Sequence, residues 1–219
     1  MIKDPASPLN AYRIERMSQF FAIHPTHPQG RLLAQAADIV RAGGVVVYPT
    51  DSTYALGCRI GDKGAVDRIR AIRRLDDRHH FTLVCRDLSE LAIYARVDNT
   101  SFRILKRHTP GPYTFLLPAT RDVPRRLMHP KRRTIGIRVP DHTIAQALLA
   151  ALGEPLMSTS LILPGAAGPL TDPFEMREQL EHLVDLVIEG GQGGQVATTV
   201  VDLTGATAVV VRPGAGELA

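Results

Sequence analysis

Several features of extracellular and membrane proteins are missing from this 219-residue sequence. It has two cysteines, Cys58 and Cys85, each inside an apolar stretch, which predicts two reduced core thiols rather than a disulfide framework. No apolar run approaches the roughly 18 residues that a spanning helix needs. The N-terminus also lacks the apolar segment of a secretory signal. We therefore expect a cytoplasmic protein with no membrane partner.

Signatures of several catalytic classes are absent too. No histidine pair has the i, i+4 helical spacing of a zinc protease, and the adjacent His79 and His80 cannot both face one ion from a regular element, so we predict no transition-metal site. The glycines of residues 190–194 are not followed by Gly-Lys-Ser/Thr, which favours a plain loop over a phosphate loop. Without a Gly-x-Ser-x-Gly elbow, acyl-enzyme hydrolysis is disfavoured.

The sequence does have an uneven distribution of positive charge, within a formal net charge of +4 and a pI of about 9.3. Its basic residues form two clusters, which are suited to the phosphates of a polyanion or of a nucleotide. A solvated basic surface is the alternative for most members. The clusters comprise Arg68, Arg70, Arg73, Arg74 and Arg78, and then Arg121, Arg125, Arg126, Lys131, Arg132 and Arg133.

The order of the predicted elements indicates one folded domain. Residues 17–219 have ample apolar material for a core, whereas residues 1–16 are polar and are expected to be a disordered or misassigned extension. Apolar periodicity and capping residues predict alternating helices and strands, typical of an α/β or mixed α+β domain. The predicted helices cover residues 31–41, 62–74, 87–92, 100–107, 141–152 and 172–180, and the predicted strands cover residues 45–48, 81–85, 113–117, 135–139, 156–163, 184–188, 197–203 and 208–212.

The most informative stretch follows the first predicted strand. The β-branched run of residues 45–48 is typical of a strand buried on both faces. Pro49 ends it, and five polar residues, 50–54, come directly afterwards. Hydroxyl groups at a strand end are suited to binding a small polar ligand, although the same residue types also build a self-satisfied turn. Both interpretations stay open at this point.

Two arginines stand at the ends of predicted strands. Arg138 lies between Ile137 and Val139, and Arg212 follows three valines and precedes Pro213. A guanidinium at the end of a buried strand needs an anionic partner. That partner is either an internal carboxylate or the carboxylate or phosphate of a ligand, and we favour the ligand.

Five motifs, in order, resemble those of the YrdC/YciO family of threonylcarbamoyl-AMP synthases. The first, Tyr48-Pro-Thr-Asp-Ser-Thr-Tyr-Ala-Leu-Gly57, is similar to the family signature, and the residues after Met17 and Phe81 are similar to the YciO branch. The resemblance covers roughly residues 30–215. The later motifs are Pro110-Gly-Pro-Tyr-Thr114, Ile135-Gly-Ile-Arg-Val-Pro140, Thr198-Thr-Val-Val-Asp202 and Arg212-Pro-Gly214.

The resemblance implies a YrdC-like fold, in which a twisted mixed sheet and helices surround a basic concave cavity. It implies synthesis of threonylcarbamoyl-AMP and diphosphate from L-threonine, bicarbonate and ATP with Mg²⁺, for the modification of adenosine 37 in tRNA. By position in the motifs, Thr50 and Tyr54 would contact the threonine and carbamoyl end, and Arg138 the threonine carboxylate. Arg212 would contact the nucleotide phosphates.

Two motifs depart from the family pattern. The Lys-x-Arg pair falls on Arg73 and Leu75, and the Ser-x-Asn pair falls on Ser160 and Ile162. Arg73 and Ser160 are therefore expected to contact the nucleotide, with Arg73 and Arg138 neutralising charge in catalysis and Ser160 also near the substrate. Hydrogen bonds to charged groups contribute about 1.5–3 kcal/mol each, so losing two removes about 3–6 kcal/mol. The resemblance then implies either weak synthesis or cleavage of threonylcarbamoyl-AMP, with an adenylate, ATP or AMP bound.

A second hypothesis is a non-catalytic module that binds double-stranded RNA or tRNA. The same basic concavity would contact phosphates, and affinity would fall steeply with salt. The low aromatic content of 5%, with no tryptophan, argues against base stacking on single strands and favours recognition of duplex shape.

Overall fold

The computed structural model describes residues 17–76, 79, 81–129 and 131–218. The predicted N-terminal extension 1–16, and the members Arg78 and His80 of the motifs above, lie outside the described residues. The described chain forms one ten-stranded mixed sheet with helices on both faces, which confirms the predicted mixed α/β fold. No helix among the residues described here is long and apolar enough to cross a membrane.

Helices and strands alternate along most of the chain. The helices are α1 (Gly30–Arg41), α2 (Lys63–Arg73), α3 (Leu88–Tyr94), α4 (Asn99–His108), α5 (Thr143–Leu152) and α6 (Pro173–Leu180), with a short 3₁₀ turn at Arg125–Leu127. The strands are β1 (Gln19–Ala22), β2 (Val46–Tyr48), β3 (Ala55–Arg59), β4 (Thr82–Val84), β5 (Tyr113–Pro118), β6 (Thr134–Arg138), β7 (Leu156–Ser160), β8 (Leu186–Glu189), β9 (Thr199–Asp202) and β10 (Val209–Arg212). In space the strand order is β1-β8-β2-β3-β7-β4-β6-β5-β9-β10.

Local signals fix most helix ends. Asp62 caps α2 by accepting a hydrogen bond from Ala65 N at 2.9 Å, and Asp87 caps α3 in the same way through Glu90 N. Helix α5 was expected to open at Asp141, but its N-cap is His142. The reason is tertiary: Asp141 N donates to an Asp51 carboxylate oxygen at 3.0 Å, which holds this residue in the turn before the helix.

The sheet has two apolar faces. On one face, α1 and α5 pack over Val46, Tyr48 and Leu156, and on the other face α2, α3, α4 and α6 pack over the alternate residues of the same strands. Strand β2 is fully buried on both faces, as its sequence predicts. Each fully buried Leu, Ile, Val or Phe contributes about 1.5–3 kcal/mol, so these two layers supply most of the favourable burial.

Two strands are absent from the sequence-based expectation. Strand β1 lies at a sheet edge, and β3 lies near the centre, between β2 and β7. The sequence of β3 contains Gly57, a residue that disfavours strands. Glycine is required there because a Cβ at position 57 would approach the Tyr48 ring to 2.8 Å. Packing of Tyr48 therefore explains both the glycine and the weak strand signal.

Candidate functional site

A cavity of about 340 Å³ opens on the sheet face that α1 and α5 cover elsewhere. Residues two apart on neighbouring strands point into it, such as Thr82 with Val84 and Ser158 with Ser160. Its described lining residues are Thr53, Ala55, Arg73, His79, Phe81, Thr82, Val84, Thr114, Leu116, Gly136, Arg138, Ser158, Thr159, Ser160, Ile162, Ala197, Thr198, Val200 and Arg212.

The polar part of this lining has one chemical character. It consists of hydroxyl groups, three arginines and one histidine, and the described lining residues include no aspartate or glutamate. A low-dielectric cavity lined by cations and hydroxyl donors favours an anion with several oxygen atoms. The lining is therefore chemically suited to a small anion with several oxygen atoms.

Arg138 is the most deeply buried of the three arginines, with 7% of its surface exposed. Its Nη2 pairs with the Asp51 carboxylate, and its Nη1 donates to Ser52 Oγ at 3.2 Å. Burial lowers the pKa of the Arg138 guanidinium, and the charge of Asp51 opposes that shift. The Nε atom is buried and has no hydrogen-bond partner among the described residues. An internal ion pair thus holds Arg138 in place, so its anionic partner within the protein is the Asp51 carboxylate.

The loop that supplies Asp51 is largely satisfied by itself. Thr50 Oγ1 donates to Thr53 O at 2.6 Å and lies 3.1 Å from Ser52 Oγ. Of the five polar residues in this loop, only Thr53 lines the cavity. The loop is therefore mostly the self-satisfied turn of the second interpretation. It also has features of a ligand-binding strand end, because it presents one hydroxyl group to the cavity and a carboxylate that positions Arg138.

Tyr54 anchors the same loop from behind. Its hydroxyl donates to Gly191 O at 2.8 Å and accepts from Gly190 N at 3.1 Å. Burial raises the pKa of Tyr54 to about 12. A Cβ at position 194 would approach Ser52 O to 1.9 Å, so the glycine-rich loop packs directly on the signature loop. These glycines permit close packing of two loops, consistent with the plain-loop prediction.

Arg73 connects the end of α2 to the end of β7. Its Nε donates to Ile162 O at 2.8 Å, and its Nη1 donates to Thr159 Oγ1 at 2.8 Å and to Ser160 O at 2.5 Å. Burial lowers the pKa of the Arg73 guanidinium. Three of its five N–H groups are thus committed to the protein, although the side chain lines the cavity.

Arg212 lies at the opposite wall, on the edge strand β10. Its Nη2 donates to Thr198 O at 2.9 Å and lies 3.3 Å from Thr198 Oγ1. Thr198 Oγ1 in turn lies 2.9 Å from Thr114 Oγ1, so a row of hydroxyl groups runs from Arg212 to the cavity floor.

The structure brings four of the predicted site residues together and leaves two outside. Arg73, Arg138, Ser160 and Arg212 all line the cavity, whereas neither Thr50 nor Tyr54 is among its described lining residues.

The two residues that depart from the family motifs lie in different parts of the structure. Ile162 lines the cavity, but Leu75 packs against the main apolar cluster and is not among the described lining residues. The expectation that residue 75 faces the phosphate region is therefore not supported.

The basic clusters contribute little to the cavity. Of the first cluster, Arg73 alone is among the described lining residues, because Arg68 pairs with Asp185 at 2.8 Å and Arg70 stacks over the Phe81 ring at 5.7 Å. No described member of the second cluster lines it either. The described residues also contain no group of three or more His, Cys, Asp or Glu side chains suited to a metal ion.

Sequence reasoning missed His79 and most hydroxyl groups of the lining. Thr82 and Thr114 alternate with apolar residues in short strands, so each resembles an ordinary strand residue. The only available signal was the run Ser158-Thr159-Ser160 at the end of an otherwise apolar segment. Its three hydroxyl groups in a buried strand are difficult to explain by packing alone.

Fold and cavity together define a class: a mixed α/β protein whose open sheet face carries a cavity lined by arginines and hydroxyl groups. The Sua5/YciO/YrdC family model, described as telomere recombination, matches residues 38–214, and this chain belongs to that family.

Relatives with known sequences or structures support the assignment. The uncharacterised protein YciO of Escherichia coli is 61% identical over 202 residues, covering 92% of this chain and 98% of that protein. Its crystal structure matches with a TM-score of 0.88 over 92% of this chain and 98% of that one. A threonylcarbamoyl-AMP synthase of Nitrosococcus oceani is 35% identical over 72% of this chain and 85% of its own length.

The third relative is larger than this chain. The crystal structure of P. abyssi Sua5 complexed with L-threonine matches with a TM-score of 0.82 and 27% identity. The match covers 90% of this chain and 58% of that one. The chain is thus related to threonylcarbamoyl-AMP synthases, and its nearer relative named here is a YciO protein.

Proposed function

We propose that this protein is an enzyme of threonylcarbamoyl-AMP chemistry that binds the adenylate in its cavity. It either forms threonylcarbamoyl-AMP slowly from L-threonine, bicarbonate and ATP, or cleaves it. The observation that carries this proposal is the convergence of Arg73, Arg138, Ser160 and Arg212 on one cavity that has no described carboxylate in its lining. A match to relatives named threonylcarbamoyl-AMP synthase supplies the substrate class.

The charge distribution supports an adenylate with a carboxylate at one end. Arg138 and Arg212 stand on β6 and β10, on opposite sides of β5 and β9 in the strand order. An elongated ligand with two separated anionic groups fits this arrangement. We assign the threonine carboxylate to Arg138, whose side chain lines the cavity, and the phosphate to Arg212 and the neighbouring Thr198 hydroxyl group.

The same geometry explains why ATP would be a poorer ligand than an adenylate. Arg73 donates to two backbone carbonyls and one hydroxyl group of the segment 159–162, so much of its hydrogen-bonding capacity is already used. Ile162 adds an apolar side chain where a polar amide is expected from the family motif. A triphosphate carries more negative charge than a monophosphate and loses more from these two changes.

Magnesium, if the reaction uses ATP, fits best as part of the nucleotide. Mg²⁺ prefers oxygen ligands and is usually held by carboxylates together with substrate phosphates. Because the described lining offers hydroxyl groups and no carboxylate, we propose that Mg²⁺ enters bound to the ATP phosphates.

Two assays test the proposed function. The first measures diphosphate release that depends on L-threonine, bicarbonate and ATP, and the second measures AMP release from threonylcarbamoyl-AMP supplied in situ by a family synthase. We expect activity in at least one assay, and loss of that activity in Arg138→Gln but not in Arg103→Gln, which changes an exposed arginine on α4. Absence of both activities in the wild-type protein would contradict the proposal.

Binding of double-stranded RNA or tRNA stays a prediction that no specific contact favours. A cavity of about 340 Å³ is too small for a duplex, and described members of the arginine clusters such as Arg68 are engaged in internal contacts. Salt-dependent binding curves with duplex RNA would test it.

A further inference from the structure

One titratable side chain of the cavity has no part in the ion pairs described above. His79 is the one ionisable residue of the described lining that is not an arginine. Its ring meets the Phe81 ring edge-on, with centroids 5.6 Å apart, and its backbone N–H donates to Asp76 O at 3.2 Å. These contacts hold the imidazole against the cavity wall.

The imidazole is coupled to a hydroxyl group of the same wall. His79 Nε2 lies 3.1 Å from Thr159 Oγ1, and Arg73 Nη1 donates to that same oxygen at 2.8 Å. Because Arg73 is a donor, the hydroxyl accepts from it, and the hydroxyl can donate its own hydrogen to an unprotonated Nε2. When the ring proton is on Nδ1, the neutral imidazole accepts this hydrogen bond at Nε2.

We propose that His79 and Thr159 form a proton-accepting pair that activates water for cleavage of an acyl adenylate bound in the cavity. This inference rests on the proposed function and commits it to the hydrolytic direction. A hydroxyl group hydrogen-bonded to an imidazole, with a third group orienting it, is a recurring arrangement for proton transfer. Arg73 is the orienting group and acts as a positioning residue.

The step balances without any further reactant. Water attacks the carbamoyl carbon and forms a C–O bond, while its proton passes to Thr159 Oγ1 and the Thr159 hydrogen passes to His79 Nε2. The bond between the carbamoyl carbon and the phosphate oxygen then breaks, and AMP leaves as an anion near Arg212. The other product is the free N-carboxy amino acid, and the imidazolium returns its proton to solvent.

Charged groups of both signs lie around His79. The ionisable groups of the described residues around His79, on its own segment, on α2 and across the cavity, are Asp76, Arg70, Arg73, Arg138 and Arg212.

The pair can be tested with substitutions that keep its hydrogen bond but remove the group that takes up the proton. His79→Gln can still hydrogen-bond Thr159 but cannot take up a proton, so we expect AMP release to fall by about 10²–10⁴-fold. In Thr159→Val the rate of AMP release should fall by a comparable factor, whereas Thr159→Ser should keep most of the wild-type rate. His27→Gln, which changes an exposed histidine outside the cavity lining, is the matched control.

A pH profile separates proton transfer from a purely structural role. The wild-type rate should rise with pH through the range of about 5–8 in which histidines titrate, and that limb should vanish in His79→Gln. A His79→Gln variant with the wild-type rate and profile would overturn the inference. So would a wild-type protein that binds AMP yet releases none from threonylcarbamoyl-AMP.

Calorimetry with AMP distinguishes this inference from the proposed function. His79→Gln should bind AMP as the wild type does, because the phosphate contacts are elsewhere. Loss of AMP binding in His79→Gln would show a binding role and overturn proton transfer. A wild-type protein that binds no AMP would instead contradict the proposed function itself.

Discussion

The two halves of one sheet face show how a single fold provides both a core and a site. Where α1 and α5 cover the face, the strands present Val46, Tyr48 and Leu156, all fully buried. A few residues further along, the same strands and their neighbours present hydroxyl groups and arginines to the open cavity. The backbone pattern is shared, so the side chains alone decide which half is packed and which half binds.

The boundary between the halves lies within single strands. In β7, Leu156 belongs to the helix-covered cluster, whereas Ser158 and Ser160, on the same face, line the cavity. Ser158 Oγ donates to Leu56 O at 3.1 Å, so Tyr48 O–H, 2.8 Å away, is the donor to Ser158 Oγ. The cavity half is thus hydrogen-bonded into the packed half, and the two can be perturbed separately.

The largest expected effect comes from breaking the ion pair at the boundary. Arg138→Leu leaves the Asp51 carboxylate, itself 9% exposed, without its partner, and removing one member of a buried pair costs about 3–5 kcal/mol. We expect the free energy of unfolding to fall by this amount in urea denaturation, together with loss of adenylate binding. If Arg138→Leu kept wild-type stability, the Asp51 pair would not hold the loop.

A comparable loss of stability without loss of binding is expected from the packed half. Leu148 is fully buried between α5 and the sheet, and Leu148→Ala should lower the free energy of unfolding by about 2–5 kcal/mol. Below the denaturation midpoint, AMP affinity per folded molecule should be unchanged. A large drop in affinity would mean that the two halves are not separable.

A polar substitution at one cavity residue should raise ATP affinity, whereas a polar substitution in the packed core should not. Ile162→Asn places an amide in the lining, and a hydrogen bond to a charged phosphate contributes about 1.5–3 kcal/mol, or about 10–150-fold in ATP affinity. Leu75→Arg, by contrast, puts a charge against the apolar cluster and should lower stability without improving ATP binding. Calorimetry with ATP on both single variants and the double variant tests this, and a gain from Leu75→Arg alone would contradict the structure.

The smallest effect concerns pH. Burial lowers the pKa of His142, the N-cap of α5. A histidine whose pKa is lowered in the folded state contributes to stability when the pH is above its unfolded-state pKa of about 6.5. This contribution is lost as the pH falls below that value. His142→Asn keeps a good capping residue and should flatten the decline below pH 6.5 in thermal unfolding. His108, whose pKa is also lowered by burial, would account for any decline that persists.

Residues with local roles were predictable from the sequence, and residues defined by tertiary contacts were not. The caps Asp62 and Asp87 and the both-face burial of β2 follow from short-range rules, and the structure confirms them. Strand β3 was missed because it contains Gly57, which is needed to leave room for the Tyr48 ring of the neighbouring strand. In the site, Arg138 and Arg212 were found because a charge at a strand end needs an explanation.

Thr50 and Tyr54 were predicted to contact the ligand, but their contacts are with the protein's own loops. A polar side chain after a strand can face the ligand or its own loop, and no local rule decides between them. Here Thr50 bonds to Thr53 and Tyr54 bonds to Gly190 and Gly191. His79 was missed because its contact with Thr159, a residue 80 positions away in sequence, follows from no local pattern.

The most direct test of the central claim is isothermal titration of the wild-type protein with AMP and with ATP and Mg²⁺. We predict a heat of binding for AMP that disappears in Arg212→Gln, which removes the guanidinium assigned to the phosphate, and persists in Arg103→Gln, with ATP binding no tighter than AMP. No heat for either nucleotide at millimolar concentration would show that the cavity does not bind adenylates and would contradict the account.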